Sequence, residues 1–531
     1  MNSRTQSFDA IVIGGGHNGL VAAAYLARAG LKVSVLERRS ALGGAAGSEA
    51  VFPGFRVDSG SFDAGLFLPE IVSELKLADY GLRFITSPAV VHALQPGGGG
   101  LTLWRDPQRA AEEIARFSLA DAHRYPEYLA WLGRTAAVLE RLLRLSPPQI
   151  PHLKAGDLLA WLPVALKARR LGRRDMLEIA RVLPMPVADF LDEWFESKIL
   201  KAALGMAGVF GNTLGPKSPG TAFMLLYQSL NAGEAGFRAS RFVQGGMGCL
   251  AQALVDAARS YGAEIYTGRG VKQLLLEDGA TKGVLLEDGE QIEARTVISS
   301  ANPRTTFFEL VGAPHLGVRF VREVRNIRYR GSLARLNLAL SELPASLLMM
   351  PDGKERLSGR VLICPDLEYL EHAYDDAKYG RFPQRLVFDA AIPSLADPSL
   401  APAGKHLMEI NVQYPPYFLK GSNWDAERGN LGDRVVELLE ESMPGIQDVI
   451  IDRQVLTPLD FERDCGLAEG CIYHGQMALD QLLFMRPVPG YANYRTPIEG
   501  LYLGGSGAHP GGGLTGAPGR NAARAVLKSR S

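Results

Sequence analysis

Apolar and polar positions near the start of the chain follow the order strand, turn, helix, strand. Residues 9–13 form a short apolar run rich in β-branched residues, and residues 32–36 alternate in the way of a second strand. Between them, a glycine-rich turn at 14–19 leads into an alanine-rich stretch at 20–29. This order predicts a βαβ unit, in which a helix connects two parallel strands.

The same kinds of element return in the second half of the chain. Residues 248–261 predict an amphipathic helix, and residues 264–266, 271–277 and 283–286 predict strands separated by turns of the Asp-Gly type. One more buried strand is predicted at 296–300. This block therefore supplies further strands for an α/β sheet.

A third glycine-rich piece lies at residues 500–524, where the pattern predicts a strand, a long loop and a helix that opens near Gly516. Three separated pieces of this kind predict a single Rossmann-type nucleotide-binding domain that is discontinuous along the chain. The domain is expected to comprise residues 1–74, 245–302 and 490–531.

The stretches between these pieces have a different character. Residues 75–244 and 303–489 are richer in aromatic residues and in long helical patterns. Because a chain of 531 residues exceeds the usual size of one domain, we expect two interlocked domains. The prediction is an α/β fold whose second domain is a helix-rich α+β unit that covers the substrate.

Charge balance and cysteine spacing exclude several classes of function. Lys and Arg together number 57, as do Asp and Glu, so no net charge recruits nucleic acid. The four cysteines include no Cys-x-x-Cys pair, which argues against a redox dithiol or a zinc site and fits a reducing compartment. Residues 1–8 are polar and no segment reaches about 18 successive apolar residues, so we expect a cytoplasmic protein.

The turn after the first strand carries the strongest chemical signal. Gly14, Gly16 and Gly19 have the spacing Gly-x-Gly-x-x-Gly, which allows a tight turn, close approach of backbone to a pyrophosphate, and close packing of helix on strand. Glu37 ends the second strand roughly 20 residues later, where a carboxylate can accept hydrogen bonds from both ribose hydroxyls. Together they predict a bound dinucleotide without a 2′-phosphate. His17, within the motif, is interpreted as a residue at the start of the helix.

Residues beyond this motif resemble the phytoene-desaturase-like flavoproteins. The run ERRSALGGAA, which starts at Glu37, is similar to the second FAD contact of that family, and GFRVDSG, which ends at Gly60, is similar to the segment that reaches the flavin. The tail LYLGGSGAHPGGG, from Leu501, resembles its signature loop, so the match spans nearly the whole chain. The nearest groups are the flavin-dependent β-carotene ketolases and pyridine nucleotide-disulfide oxidoreductase domain-containing protein 2, although this sequence shows neither the dithiol nor the nicotinamide domain of the second name.

The resemblance implies FAD contacts in addition to the glycine turn and Glu37. In that family a glycine pair crosses the diphosphate, and the strand that here begins at Val271 meets the adenine through its backbone. Val271 equally suits a core strand, and Asp58 equally suits a turn in which its side chain bonds to nearby backbone. The implied contacts are Arg38, Gly43, Gly44, Ala45, Asp58, Gly60, Val271, Gly505, Ser506 and Gly516.

The tail loop departs from the pattern of many FAD proteins of this architecture. Those proteins place an acidic residue near the ribityl phosphate, where this chain has Gly505 and Ser506. We expect backbone N–H groups around Gly505 to make that contact. The helix that begins near Gly516 would direct its positive end at the flavin pyrimidine and stabilise the anion of the reduced flavin.

His474 and His509 are two of only nine histidines, and the resemblance places both in loops beside the isoalloxazine. An imidazole can accept a proton near neutral pH, so both are predicted to be catalytic. The alternative interpretation is that each is a hydrogen-bonded structural histidine.

Residues 158–174 join an apolar face to five basic residues. This combination is typical of an interfacial helix that touches anionic lipid, which predicts a peripheral membrane contact. The alternative is an ordinary helix that packs on the substrate domain with a solvated basic end, because Pro163 interrupts the pattern.

Taken together, these features predict an FAD-dependent oxidoreductase that removes hydride from a C–H bond of a large lipophilic substrate, isoprenoid or carotenoid-like. Residues 245–248 lack the spacing and the following carboxylate of a second dinucleotide motif, so oxygen or a quinone is the expected electron acceptor rather than NAD(P). Two alternatives stay open. One is an amine oxidase of the same fold, and the other is a flavin-binding scaffold that acts through a protein partner.

Overall fold

The strand that precedes the first glycine turn lies at the centre of a five-stranded parallel sheet, called the nucleotide sheet below. The computed structural model describes residues 6–97, 99–147, 161–162, 165–166, 169–170, 172–233, 236–238 and 240–530. The strands of the nucleotide sheet come from three separated regions of the chain. Their order is Glu264–Tyr266, Val33–Leu36, Ala10–Ile13, Val297–Ser299 and Leu501–Leu503.

Three helices cover the nucleotide sheet: His17–Arg28, Met247–Ser260 and Ala517–Arg530. The first helix contacts both of the others, and its alanines at positions 22, 23 and 24 are fully buried. Small side chains let these helices approach one another closely, which explains the alanine-rich pattern of this segment. The predicted βαβ unit and the helices near 248 and 516 are confirmed.

A smaller sheet lies beside the nucleotide sheet. It has the order Gln6–Phe8, Gln291–Ala294, Ala280–Leu286 and Val271–Glu277, with only the first pair parallel. The strands Gln6–Phe8 and Gln291–Ala294 were not expected, because each has only three or four residues, too few for a periodic pattern to indicate a strand.

The substrate side of the molecule is built on a seven-stranded sheet, called the large sheet below. Neighbouring strands are antiparallel, except that Arg360–Ile363 runs parallel to Ala89–Leu94. Separate apolar clusters cover its two faces, since successive residues such as Leu362 and Ile363 belong to different clusters. The strand order is Ile450–Leu456, Leu333–Leu340, His406–Gln413, Val387–Ala391, Arg360–Ile363, Ala89–Leu94 and Gly100–Trp104.

Helices surround the large sheet. Short strand pairs, Ser48–Glu49 with Val57–Asp58 and Phe84–Ile85 with Phe242–Val243, connect this side of the molecule to the nucleotide sheet. In the described part of the chain, the further helices of six or more residues are Pro69–Glu74, Pro107–Ile114, Leu119–Arg144, Gly172–Val182, Val187–Asp192, Lys198–Val209, Thr221–Gln228, the π-helix Thr305–Val311, Val318–Arg325, Leu367–Lys378, Trp424–Ser442 and Pro458–Cys465.

Much of the segment predicted to touch a membrane, residues 158–174, lies outside the described residues. That contact therefore stays a prediction, as do the proposed domain boundaries. Among the helices of the described part of the chain, none is both long enough and apolar enough to cross a bilayer.

Candidate active site

The first glycine turn connects the central strand of the nucleotide sheet to its first helix. Gly14 has φ +96°, and a Cβ atom there would stand 2.4 Å from Ser300 Oγ. A Cβ atom at Gly19 would stand 2.0 Å from the Gly14 carbonyl oxygen, whereas one at Gly16 would meet only the Gly43 oxygen, at 4.0 Å. Gly14 and Gly19 therefore serve the packing of the turn, and Gly16 leaves its backbone open to a ligand.

This turn forms one wall of a cleft of about 420 Å³, a volume in the range of small-molecule sites. The opposite wall includes Asn302, Arg304 and the loop around Cys465. Nine of the residues predicted from the sequence line this cleft: Gly14, Gly16, Glu37, Arg38, Gly44, Ala45, Val271, Ser506 and His474.

Glu37 lies at the end of its strand with both carboxylate oxygens held by backbone. One oxygen accepts a hydrogen bond from the Gly15 N–H at 2.7 Å, and the other accepts one from the Arg39 N–H at 2.8 Å. A carboxylate has about four acceptor positions, so two remain for a ligand in the cleft. The glycine turn and the carboxylate are thus one rigid unit, suited to a ribose and its neighbouring phosphate.

The second glycine pair packs directly against the first turn. The Gly43 N–H donates to the Gly15 carbonyl oxygen at 2.8 Å, so Gly43 is held behind the cleft surface that Gly44 and Ala45 form. A Cβ atom at Gly60 would lie 2.9 Å from that of Ala45. Gly60 therefore permits the close approach of its segment and lines a second, deeper cavity.

Asp58, a predicted FAD contact, lies outside the described lining of the cleft. Asp58 is buried and accepts hydrogen bonds from the Met247 N–H at 2.8 Å and from Ser48 Oγ at 2.6 Å, so it holds the start of the helix Met247–Ser260 rather than lining the cleft. The burial of Asp58 and, to a smaller extent, the nearby Glu409 carboxyl raise the pKa of Asp58 to about 8. The turn interpretation of Asp58 is not seen either, because its carboxylate bonds to Ser48 and to Met247 rather than to neighbouring backbone.

Gly505 and Gly516 are also absent from the described lining of the cleft and of the deeper cavity. A Cβ atom at Gly505 would stand 2.2 Å from the Ser300 carbonyl oxygen, and one at Gly516 would stand 2.7 Å from Ile71 Cδ1. Both glycines thus allow close packing of the tail loop. Ser506 is the residue of this loop that reaches both cavities.

The two predicted histidines have different surroundings. His474 lines the cleft, whereas His509 is fully buried and is not among the described residues that line either cavity. Burial, together with the Arg486 guanidinium, lowers the pKa of His474 to about 3. His474 is therefore a neutral imidazole at physiological pH, and its catalytic role stays a prediction.

Several polar atoms at the cleft have no hydrogen-bond partner among the described residues. They are Nε2 of His17, Oδ1 of Asn18 and Nδ1 of His474, all buried side-chain atoms. Unsatisfied buried groups of this kind are uncommon in folded proteins and are explained when a ligand completes their hydrogen bonds. Their clustering at one cleft supports a polar ligand there.

Comparison with known families identifies this arrangement. The family model described as flavin containing amine oxidoreductase matches residues 19–527. The chain belongs to this family. Its α/β fold is that of flavin amine oxidases: cyclohexylamine oxidase from Brevibacterium oxydans IH-35A superposes with a TM-score of 0.56, covering 98% of this chain and 99% of that chain at 15% identity.

The similarity to several known proteins covers almost the whole chain. Pyridine nucleotide-disulfide oxidoreductase domain-containing protein 2 of Rattus norvegicus is 38% identical, covering 98% of this chain and 93% of the rat protein. A limonene dehydrogenase polypeptide of Castellaniella defragrans is 29% identical, covering 99% and 95%. A lycopene-forming phytoene desaturase of Pseudescherichia vulneris is 26% identical, covering 95% and 96%. The predicted resemblance to phytoene-desaturase-like flavoproteins is thereby confirmed.

The family is flavin-containing, and the cleft fits FAD. The open backbone at Gly16 and the helix start at His17 suit a diphosphate, and Glu37 suits the adenosine ribose. Val271 lies at the cleft, where either of its two proposed roles is possible, since it also belongs to a strand. The atoms of Asn18 and His474 that lack a partner among the described residues would supply further polar contacts for the cofactor.

The deeper cavity, called the inner chamber below, continues from the cleft. The two share His17, Ala45, Cys465, Leu467, Ile472 and Ser506. The chamber has a volume of about 90 Å³ and lies against the large sheet. Its apolar lining includes Leu66, Phe62, Phe210, Leu333, Phe461 and Leu514, and its polar lining includes Asp63, Gln228, Arg238, Arg360, Asn411 and Tyr473.

Several site residues were not found from the sequence. Arg486 is fully enclosed, and its guanidinium donates to the carbonyl oxygens of Tyr473, Gly475 and Ser506, which joins the His474 loop to the tail loop. Burial lowers the pKa of Arg486 to about 10. Arg238 and Arg360 reach the chamber from distant parts of the chain. None of these arginines lies in a motif, so no local signal was available for them.

Proposed function

We propose that this chain is an FAD-dependent oxidoreductase that removes hydride from a C–H bond of a lipophilic, isoprenoid-like substrate, with oxygen or a quinone as electron acceptor. The observation that carries the proposal is an apolar and aromatic inner chamber that opens directly from the cleft suited to FAD. Limonene and phytoene, in the names of two relatives, are isoprenoids, which supports this substrate class.

The bound FAD would supply the redox chemistry, and the residues of this chain would orient the substrate and exclude water. The buried side chains of Phe62, Leu333 and Leu514 give the chamber a low-dielectric wall. Arg486 fixes the loops that carry His474 and Ser506 at the junction of cleft and chamber. The neutral His474 imidazole can hydrogen-bond there without carrying a charge.

The family name and the matched oxidase fold favour an amine oxidase as the second candidate function. The charge of the lining argues against it, because the described residues that line the chamber include two guanidiniums but only one carboxylate, that of Asp63, so the excess positive charge would repel a protonated amine. A flavin-binding scaffold without turnover is the third candidate and predicts that no organic substrate reduces the flavin.

The test is anaerobic flavin reduction by the purified holoprotein. Isoprenoid hydrocarbons and alcohols are expected to bleach the flavin, whereas alkyl amines are not. Phe210→Ser, in the chamber, should slow bleaching, and Phe418→Ser, whose ring is 70% exposed, serves as the matched control. Bleaching by amines alone would establish the second candidate. A flavin that dithionite reduces but no organic compound does would favour the scaffold.

A further inference from the structure

The polar side of the inner chamber is built from buried arginines. Arg360 donates to both oxygens of Asp389, at 2.8 and 2.7 Å, and to Asp63 at 2.7 Å. Arg238 donates to the same Asp389 at 2.6 Å. Both arginines are almost completely buried and both line the chamber.

Positive charge exceeds negative charge around this cluster. Arg105 and Arg241 lie close enough to Asp63 to interact with it electrostatically. Their guanidiniums donate to backbone carbonyl oxygens rather than to carboxylates. Among the described residues, the two aspartates Asp63 and Asp389 therefore face four guanidiniums. Arg105 and Arg241 are only partly buried, so water screens part of their charge, but the excess of guanidiniums over carboxylates still favours an additional anion here.

Hydrogen-bonding capacity is left over at the same place. Nε of Arg238 and Oδ1 of Asn411 are buried and have no partner among the described residues. Both residues line the chamber and are at least nine-tenths buried. Asn411 lies on the strand His406–Gln413 of the large sheet, next to the strand that holds Asp389, so one ligand group can meet both side chains. The amide of Asn411 can also present its N–H₂ group, since its orientation follows the bonding partner.

The aromatic rings beside these arginines complete a built site. The Arg360 guanidinium lies 4.9 Å from the centre of the Phe62 ring, and that of Arg238 lies 5.3 Å from the centre of the Phe210 ring. The rings and the aspartates hold both guanidiniums in place. The volume of about 90 Å³ suits the terminal group of a ligand whose remainder extends toward the cleft.

We propose that the inner chamber recognises a carboxylate on the substrate through Arg238 and Asn411. This rests on the proposed function and narrows it, because a pure hydrocarbon would leave both side chains unsatisfied. The substrate class becomes a lipophilic carboxylic acid, with its carboxylate in the chamber and its reacting C–H bond toward the cleft.

The experiment measures equilibrium binding to the oxidised holoprotein by isothermal titration calorimetry. The probes are dodecanoate, methyl dodecanoate and dodecylamine. Dodecanoate is expected to bind at least about tenfold more tightly than the ester, because a charge-assisted hydrogen bond is lost in the ester, and dodecylamine is expected to bind most weakly. Equal affinities of acid and ester would overturn the proposal.

Variants locate the effect. Arg238→Met should remove the preference for the acid, and Asn411→Leu should reduce it about fivefold. Arg328→Met is the matched control, since Arg328 lies outside both the cluster and the described lining of the chamber and pairs with the exposed Asp480. If Arg238→Met fails to fold, the affinities of Asn411→Leu and of the wild-type protein for the acid and the ester still test the proposal. A preference that survives both chamber substitutions would refute the assignment.

The two proposals fail separately. Tight binding of dodecanoate without flavin reduction by any lipophilic compound would keep the carboxylate site and refute the proposed reaction. Rapid reduction by isoprenoid hydrocarbons, with no preference for acids in binding, would keep the reaction and refute the carboxylate site.

Discussion

The cleft and the inner chamber meet at a shared wall but are built in opposite ways. The part of the cleft that the sequence motif builds is backbone, with Gly14, Gly16, Gly44 and Ala45 in its lining and Glu37 fixed by two N–H donors. The chamber is formed by side chains, such as Phe210, Arg238 and Asn411, that come from widely separated parts of the chain.

This difference determines how much of each region can be predicted from the sequence. A backbone cradle requires glycines at fixed spacing, and that spacing is visible in a short stretch of sequence. A side-chain chamber requires only that suitable residues meet after folding, which leaves no local pattern. The cofactor of this family is therefore much easier to infer than the substrate of this chain. Substitutions in each region test this difference between the cleft and the chamber.

The largest expected effect is on stability and lies in the chamber wall. Arg360→Met leaves Asp63 and part of Asp389 without their main partner, and breaking a buried ion pair costs about 3–5 kcal/mol of the free energy of unfolding. Arg328→Met is the control, because its partner Asp480 is 62% exposed and such pairs contribute at most about 1 kcal/mol. Urea denaturation measures both. Similar losses in the two variants would mean that the cluster is not a buried ion network.

The next effect concerns the cleft. Glu37→Ala removes the acceptor for the ribose and for the Gly15 and Arg39 N–H groups. Each hydrogen bond to a charged group contributes roughly 1.5–3 kcal/mol, so FAD affinity should fall on the order of a hundredfold. Glu309→Ala, also at the cleft but bonded only to Thr305, should retain the cofactor. Mass spectrometry of heat-released cofactor is the measurement. FMN, NAD or no cofactor in the wild type would contradict the assignment.

Much of the nucleotide side of the fold could be predicted from the sequence. The strand at 33–36 alternates in sequence and the helix from 247 has a periodic apolar face, and the structure has both within one or two residues of the expected bounds. The short strand Gln6–Phe8 could not be predicted, because only its pairing with Gln291–Ala294 makes it a strand. The seven-stranded arrangement of the large sheet depends on long-range pairing of the same kind.

The site was predictable where chemistry depends on backbone geometry. Gly16 and Glu37 lie at the cleft as expected. Asp58 does not, because its carboxylate bonds to the start of a helix nearly 190 residues away in sequence, a partner that no local motif reveals. Arg238 and Arg360 carry no sequence signal, since an arginine is usually a solvated surface residue and only the fold buries these two.

The smallest expected effect is that of the two predicted catalytic histidines, His474 at the cleft and His509 in the core. A general base contributes about 10²- to 10⁴-fold and works best with a pKa near the working pH, whereas the pKa of His474 is lowered to about 3. His474→Ala, checked for full FAD content, should therefore slow anaerobic flavin reduction by less than about tenfold. The ratio of wild-type to variant rates should stay constant from pH 5 to 8, because His474 does not titrate in that window. His509→Ala should leave the rate unchanged and lower FAD content or stability, since its fully buried ring lies away from the described cavity walls. Stopped-flow reduction across this pH range measures both variants. A loss of a hundredfold or more at His474 that grows above pH 6 would instead identify it as the base that accepts the substrate proton.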